Sequence, residues 1–362
     1  MKVNQWVPSF HRGDAIGDTA QHIKTFLRSQ GFESEIYCLN RDQGLEHESG
    51  LLEHFPRPEK TDITLFHFAL PSPMTDAFRA LTGRRVLIYH NITPPQYFEN
   101  FSEEMARITQ IGRKEAASLS KHTHLALADS EYNREELEHF GFQKTDVFPL
   151  FVDFEKYNQP VNPFIYDLYN DDRTNLLFVG RIVPNKKIED LIRVVQYYKK
   201  YISPLIRLII IGKTSSLPQY HQALIKLMNE FFIQPDEVVF TGHIPDSEMM
   251  ALYKASDVFL SLSEHEGFGL PFIESLVFDL PVIAYNCTAV PYTLEKAGIL
   301  VNTKDFRKLG ELIDQVTRDK ELRAKVIRSQ RKRLKEFKSL DSEKKLLKTV
   351  YELSTQTRVK TK

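Results

Sequence analysis

A chain of 362 residues is long enough for two domains of ordinary size, and 42% hydrophobic content excludes wholesale disorder. The 48 basic and 48 acidic residues cancel, so bulk charge gives no reason to expect a nucleic-acid partner. Met1-Lys2-Val3 runs directly into a strand-like stretch without the apolar core of a signal peptide, and no apolar run approaches the ~18 residues of a membrane span. Cys38 and Cys287 match no metal or redox spacing, so a reduced, cytoplasmic protein without a metal is expected.

In chain order, Val3 to Val7 reads as a strand, followed by a loop with Gly13 and Gly17 and a helix from Thr19 to Ser29 that Gly31 ends. Strand, glycine-bearing loop and helix suit phosphate approach, although the spacing is not G-x-G-x-x-G and a plain tight turn serves equally well. Strands are expected at 34–39 and 62–69, the latter holding Phe66-His67-Phe68, with a loop over 41–61, with or without a short helix of its own, and a short helix over 74–81. Arg84 to Tyr89 is strongly strand-like and ends at His90-Asn91-Ile92-Thr93-Pro94-Pro95. Groups just past strand C-termini are well placed for chemistry in open α/β sheets. A lone histidine there is nevertheless more often a hydrogen-bonded structural residue. A long amphipathic helix is expected over 98–119. A strand over 124–128 then ends in Asp129-Ser130, where Ser130 can cap the next helix, 133–140. A strand at 146–150 completes an alternation that implies a parallel sheet covered on both faces.

Residues 151–175, with Pro160, Pro163 and several tyrosines, break the pattern and read as a linker. Alternation then resumes. A strand over 175–179 is followed by Gly180-Arg181, then Lys186 and Lys187, then a helix over 188–201. Basic residues at such a junction can grip phosphate, though isolated ones are usually solvated. Strands at 207–211 and 238–240 end in Gly212-Lys213 and Thr241-Gly242-His243-Ile244.

The densest stretch is Ser263-Glu264-His265-Glu266-Gly267-Phe268-Gly269-Leu270-Pro271-Phe272-Ile273-Glu274, between a short buried strand and a helix. Pro271 suits a first helical position, and the exposed N–H groups of a helix start attract anions. Glu266 in the loop and Glu274 in the first turns flank that start, since helical side chains lean toward the N-terminus. Carboxylates accept sugar hydroxyls, so the ligand read here has a phosphate part and a sugar part. A surface loop with a solvated glutamate is the plainer alternative.

Glu266 and Glu274, with seven residues between them, resemble the paired-glutamate motif of the retaining glycosyltransferases of family 4, which have the GT-B fold. The resemblance covers nearly the whole chain. It implies that Glu266 contacts the donor sugar and Glu274 the nucleotide ribose. Gly180-Arg181 followed by Lys186 looks like the family's diphosphate-binding pair. Gly267, Phe268, Gly269 and Leu270 would line the donor site, with His243 and Ile244 bordering the base and Gly17 closing over the phosphates. His90 would point at the donor sugar, making Glu266, His90, Arg181 and Lys186 the catalytic group. Asp129 and Ser130 would face the acceptor. Many relatives have two glycines before Pro291 where this chain has Thr288 and Ala289, which puts phosphate contacts there in doubt.

The expected architecture is α/β, with two Rossmann-like parallel-sheet domains facing a central cleft. The expected divisions are an N-terminal acceptor-binding domain over 1–155, a linker over 156–174, a nucleotide-sugar domain over 175–340, and a helix and tail over 341–362 returning to the first domain. The resemblance implies transfer of a sugar from a nucleotide diphosphate sugar to a glycan, glycolipid or small-molecule acceptor, with no cofactor beyond the donor. The basic stretch 318–348 reads as a solvated helix face, with peripheral contact to an anionic membrane as the sharper alternative. Two other functions fit the same motifs: nucleotide-sugar binding without transfer, and GT-B phosphorolysis or epimerisation.

Overall fold

The computed structural model describes residues 1–11 and 13–355. Of the helix and tail expected over 341–362, residues 356–362 lie outside the described residues. The chain forms two compact units. The first takes in Met1–Pro95, Glu104–Val152 and the chain from Leu340; the second takes in Gln96–Glu103 and Asp153–Ser339.

In the first unit the order is β1 (Val3–Phe10), α1 (Ala15–Ser29), β2 (Ile36–Arg41), β3 (Gly50–Leu51), β4 (Ile63–Phe68), α2 (Met74–Ala80), β5 (Arg84–Tyr89), α3 (Glu103–Leu119), β6 (Leu125–Ala128), α4 (Glu131–His139) and β7 (Thr145–Val147). Among the described residues the strands lie in the order β3-β2-β1-β4-β5-β6-β7, every pair parallel. Strand side chains alternate between faces. Trp6, Phe66, Phe68, Leu87 and Tyr89 therefore fill one layer, and Val3, Leu65, Val86 and Ile88 fill the other. That second layer also buries Ile23 and Leu27 of α1 and Leu346, Val350 and Leu353 of the last helix, Ser342–Thr355. The final helix thus returns to the first unit, tied also by Lys345 Nζ at 2.7 Å from Asp146 Oδ1.

The stretch 98–119 departs from expectation: the helix starts at Glu103, and residues 96–103 belong to the second unit. The apolar residues that suggested an earlier start have other partners. Phe101 packs edge-on against Tyr220 at 5.1 Å, and the Tyr97 hydroxyl donates to the Glu264 carbonyl at 3.3 Å. The stretch 41–61, expected as a loop with or without a short helix, holds a single 3-10 turn over Leu52–His54 and, beyond expectation, the two-residue β3.

The second unit runs α5 (Pro163–Tyr169), β8 (Thr174–Val179), α6 (Ile188–Tyr201), β9 (Ile206–Ile211), α7 (Pro218–Glu230), β10 (Val238–Gly242), α8 (Asp246–Ala255), β11 (Val258–Ser261), α9 (Leu270–Val277), β12 (Val282–Tyr285), α10 (Val290–Leu294), β13 (Ile299–Val301), α11 (Phe306–Arg318) and α12 (Lys320–Lys338), before α13 (Ser342–Thr355). Its parallel sheet has the order β10-β9-β8-β11-β12-β13 among the described residues. The order reverses between β8 and β11, and such switch points open a crevice at the strand C-termini. Residues 163–169, in the stretch expected as a linker, are helical: Asn162 caps α5 by accepting from Phe164 N at 3.1 Å, and α5 packs against α8.

Candidate active site

The switch point of the second unit brings together the loop after β8 and the loop after β11. The β11–α9 loop ends at Gly269, whose φ of 86° is left-handed; a Cβ there would meet the Phe272 ring at 2.4 Å. Neighbouring elements pin the rest of this loop. Glu264 N donates to Asn185 O at 2.8 Å, and Asn185 Nδ2 donates to His265 O at 2.9 Å. Thr288 Oγ1 accepts from Glu266 N at 2.8 Å and donates to Glu266 O at 3.0 Å. Thr293 Oγ1 donates to Phe268 O at 2.5 Å. Thr288, standing where a glycine was looked for, therefore clamps the backbone of Glu266; its own φ of 41° is left-handed.

Lys186 closes the 3-10 turn Pro184–Lys186 after β8, and its Nζ lies 2.5 Å from Glu266 Oε2. Both side chains are largely buried, at 14% and 9% exposure. Arg181, five residues upstream, is exposed; its carbonyl accepts from Val183 N at 3.1 Å, and among the described residues its guanidinium has no hydrogen-bond or ion-pair partner. Lys187 takes a different carboxylate, with Nζ 3.4 Å from Glu264 Oε2. Lys304 joins the same group at 2.8 Å from Glu264 Oε1 and 2.9 Å from Asp190 Oδ2. The loop after β8 thus carries one cation committed to Glu266, Lys186, and one whose side chain is unpaired among the described residues, Arg181.

Glu274 is buried one helical turn into α9. Its oxygens accept from two tyrosines: Tyr157 Oη to Oε1 and Tyr253 Oη to Oε2, each at 2.8 Å. Lys156 Nζ lies 3.9 Å from Oε1. Burial first, then the nearby Glu274 charge, raises both phenols above the ordinary tyrosine value, so both stay protonated donors. Each carboxylate oxygen has a second lone pair, so two hydroxyl-accepting positions remain.

Other expected donor residues are placed as follows. His243 is exposed and Ile244 half-buried against the core at the end of β10, while Gly267 and Leu270 are half-buried in the loop. The Phe268 ring turns inward to pack against Phe337 at 5.9 Å, leaving its backbone for any ligand contact. In the first unit, Gly17 lies inside α1, and a Cβ there would meet the His11 carbonyl oxygen at 2.2 Å; packing alone requires the glycine. The Ser130 side chain caps α4, accepting from Asn133 N at 3.3 Å.

His90 is expected to point at the donor sugar. Within the first unit both its ring nitrogens have partners: Nδ1 is 3.0 Å from Asp129 Oδ2 and Nε2 is 2.9 Å from His67 Nδ1. His90 and Asp129 side chains are 3% and 5% exposed.

Sequence reasoning did not single out Tyr157, Tyr253, Asn185, Lys304 or His67. One signal was available for His67, a polar residue inside the apolar run Thr64-Leu65-Phe66-His67-Phe68, all of it buried. The basic stretch is partly consumed internally: Arg323 donates to the Asp257 carbonyl, Arg331 pairs with Asp279, and Arg333 pairs with Glu295. Among the described residues no helix is long and apolar enough to cross a membrane.

CapM of Staphylococcus aureus, a capsular polysaccharide biosynthesis glycosyltransferase, is 29% identical over 190 residues, 51% of this chain and 47% of CapM. WbdA of Escherichia coli, a serotype-specific mannosyltransferase, is 24% identical over 153 residues, 42% of this chain and 18% of WbdA. The matched stretches thus span half or less of these relatives. The crystal structure of Anabaena HepE in complex with UDP and glucose superposes with a TM-score of 0.75 at 17% identity, covering 97% of this chain and 100% of HepE. The family model for glycosyl transferases group 1 matches residues 166–333, which span β8 to β13 and both glutamates. Residues 166–333 are thus similar to the group 1 glycosyl transferases, and the chain as a whole has the GT-B fold.

Proposed function

We propose that the protein is a retaining glycosyltransferase, moving a sugar from a nucleotide diphosphate sugar to a hydroxyl of a glycan, glycolipid or small-molecule acceptor. The observation that carries this reading is the Lys186–Glu266 pair at the switch point of the segment that matches the group 1 model, with the exposed Arg181 on the same loop as Lys186. Breaking the glycosyl–phosphate bond leaves negative charge on the diphosphate. Arg181, Lys186 and the start of α9 would stabilise it, with no metal needed for that task. Glu266 would hold the sugar and support positive charge on its ring. Glu274, braced by Tyr157 and Tyr253, would accept the ribose hydroxyls. The acceptor would attack on the face the diphosphate leaves, and the departing phosphate would take its proton. Asp129 would serve the acceptor, and His90 would face the donor sugar.

The relatives suggest polysaccharide synthesis as the setting, and the cytoplasm fits free cysteines Cys38 and Cys287. Membrane contact would fall to the exposed lysines of α12. HepE is described with UDP and WbdA as a mannosyltransferase, so a donor panel must include UDP-glucose and GDP-mannose. A true donor should raise the melting temperature by mass action. Its slow hydrolysis should vanish in Glu266→Ala and Lys186→Ala. Binding without turnover under any acceptor would leave a nucleotide-sugar-binding protein; phosphate-dependent breakdown of a glycoside would indicate a phosphorylase.

A further inference from the structure

A buried chain of hydrogen bonds runs through the first unit at the C-terminal ends of β4, β5 and β6. Gln5 Nε2 donates to the Ala20 carbonyl at 2.9 Å. That fixes the amide, so Gln5 Oε1 faces His67 Nε2 at 3.0 Å as an acceptor. His67 Nε2 must then carry the hydrogen. His67 is fully buried, and burial first, then the neighbouring His90 charge, pushes its pKa well below the ordinary histidine value. It is accordingly neutral, and its Nδ1 is an acceptor. His90 Nε2, 2.9 Å away, must donate to it. The two rings lie nearly parallel, 9° apart.

The other His90 nitrogen faces Asp129 Oδ2 at 3.0 Å. Asp129 Oδ1 is buried and has no hydrogen-bond partner among the described residues. A buried carboxylate needs a compensating charge, and the side chain placed to supply it, once protonated, is His90. An ionised Asp129 therefore requires hydrogens on both nitrogens of His90. The groups facing this cluster are Gln5 from β1, the Ala20 carbonyl from α1, His67 from β4 and Asp129 from the end of β6.

We infer that His67 is a positioning residue that acts through His90, holding the ring as a donor at both nitrogens against Asp129. The carboxylate orients one edge of His90 and sets its charge. The neutral imidazole of His67 orients the other edge and cannot compete for the proton. Without His67, His90 Nε2 loses its buried acceptor and the ring is free to turn.

Two measurements test this, and only the second rests on the glycosyltransferase reading. In nitrogen-15 NMR of the histidine-labelled protein between pH 6 and 8, His90 should show two protonated nitrogens. His67 should show a neutral ring with its hydrogen on Nε2. His67→Phe should change the His90 signals, and His67→Asn, whose side-chain carbonyl can replace Nδ1, should restore them. In transfer assays His67→Phe should lower kcat by about tenfold, the scale of one lost charge-assisted hydrogen bond. It should also displace the pH profile while leaving donor KM unchanged, and His67→Asn should recover most of the loss. A neutral His90 with one hydrogen in the unmutated protein would overturn the inference, as would His90 signals indifferent to His67→Phe. If no donor is ever turned over, the proposed function fails and the spectra still decide the role of His67.

Discussion

The Lys186 ammonium sits 2.5 Å from the Glu266 carboxylate, so the group expected to hold a diphosphate is already neutralised by the group expected to hold the sugar. A donor must draw Lys186 toward its phosphate and release Glu266 toward its sugar. One binding event would then arm both. Glu266→Gln should abolish transfer yet bind nucleoside diphosphate about threefold to tenfold more tightly, because Lys186 no longer has a competing carboxylate. Calorimetric titration with UDP and GDP checks this; weaker binding would show that Glu266 and phosphate do not compete for Lys186.

Arg181 makes the opposite case. Its guanidinium is exposed and has no partner among the described residues, so its removal should leave the fold intact, with stability within about 0.5 kcal/mol. Arg181→Ala should nevertheless weaken nucleoside diphosphate binding by roughly tenfold to a hundredfold, the worth of a charge-assisted contact. Chemical denaturation and titration on the same sample separate the two effects.

Tyr157 and Tyr253 should matter to both stability and binding. Each phenylalanine substitution leaves one buried oxygen of Glu274 short of a donor, costing about 1–3 kcal/mol. The pH dependence has a definite sign. Both phenols are raised in the folded state, so their contribution is complete below the ordinary tyrosine value of 10.0 and is lost as pH rises above it. Urea midpoints measured from pH 8 to pH 11 should fall at the alkaline end, less steeply in Tyr157→Phe.

His67 gives the acid-side counterpart. Its folded pKa is depressed below 6.5, so the unfolded chain takes up a proton that the folded one refuses. Stability is therefore complete above that value and declines as pH falls below it. His67→Asn should flatten the decline between pH 6.5 and 5, read from denaturation midpoints.

Much of this was legible in the sequence because α/β units announce themselves. Ile188–Tyr201 was read as a helix with its observed bounds, and the ends of β8 and β11 put Arg181 and Glu266 on adjacent loops at the switch point. The supporting shell was not legible. Tyr157 lies 117 residues from Glu274 and sits in a stretch that breaks the alternation, so no local pattern joins them. Asn185 works through backbone carbonyls, which leave no trace in residue type. Thr288 was read as a missing glycine, whereas its hydroxyl performs a clamp that a glycine could not. Phe98 and Phe101 carry helical spacing, but their segment packs into the second unit.

The most direct measurement is calorimetric titration of the unmutated protein, Arg181→Ala and Lys186→Ala with UDP and GDP at fixed salt. At least one nucleotide should bind the unmutated protein and lose tenfold or more in both variants, a gap of about 1.4 kcal/mol. Equal affinity in all three proteins, or no binding of either nucleotide, would contradict a diphosphate site at the head of α6 and α9.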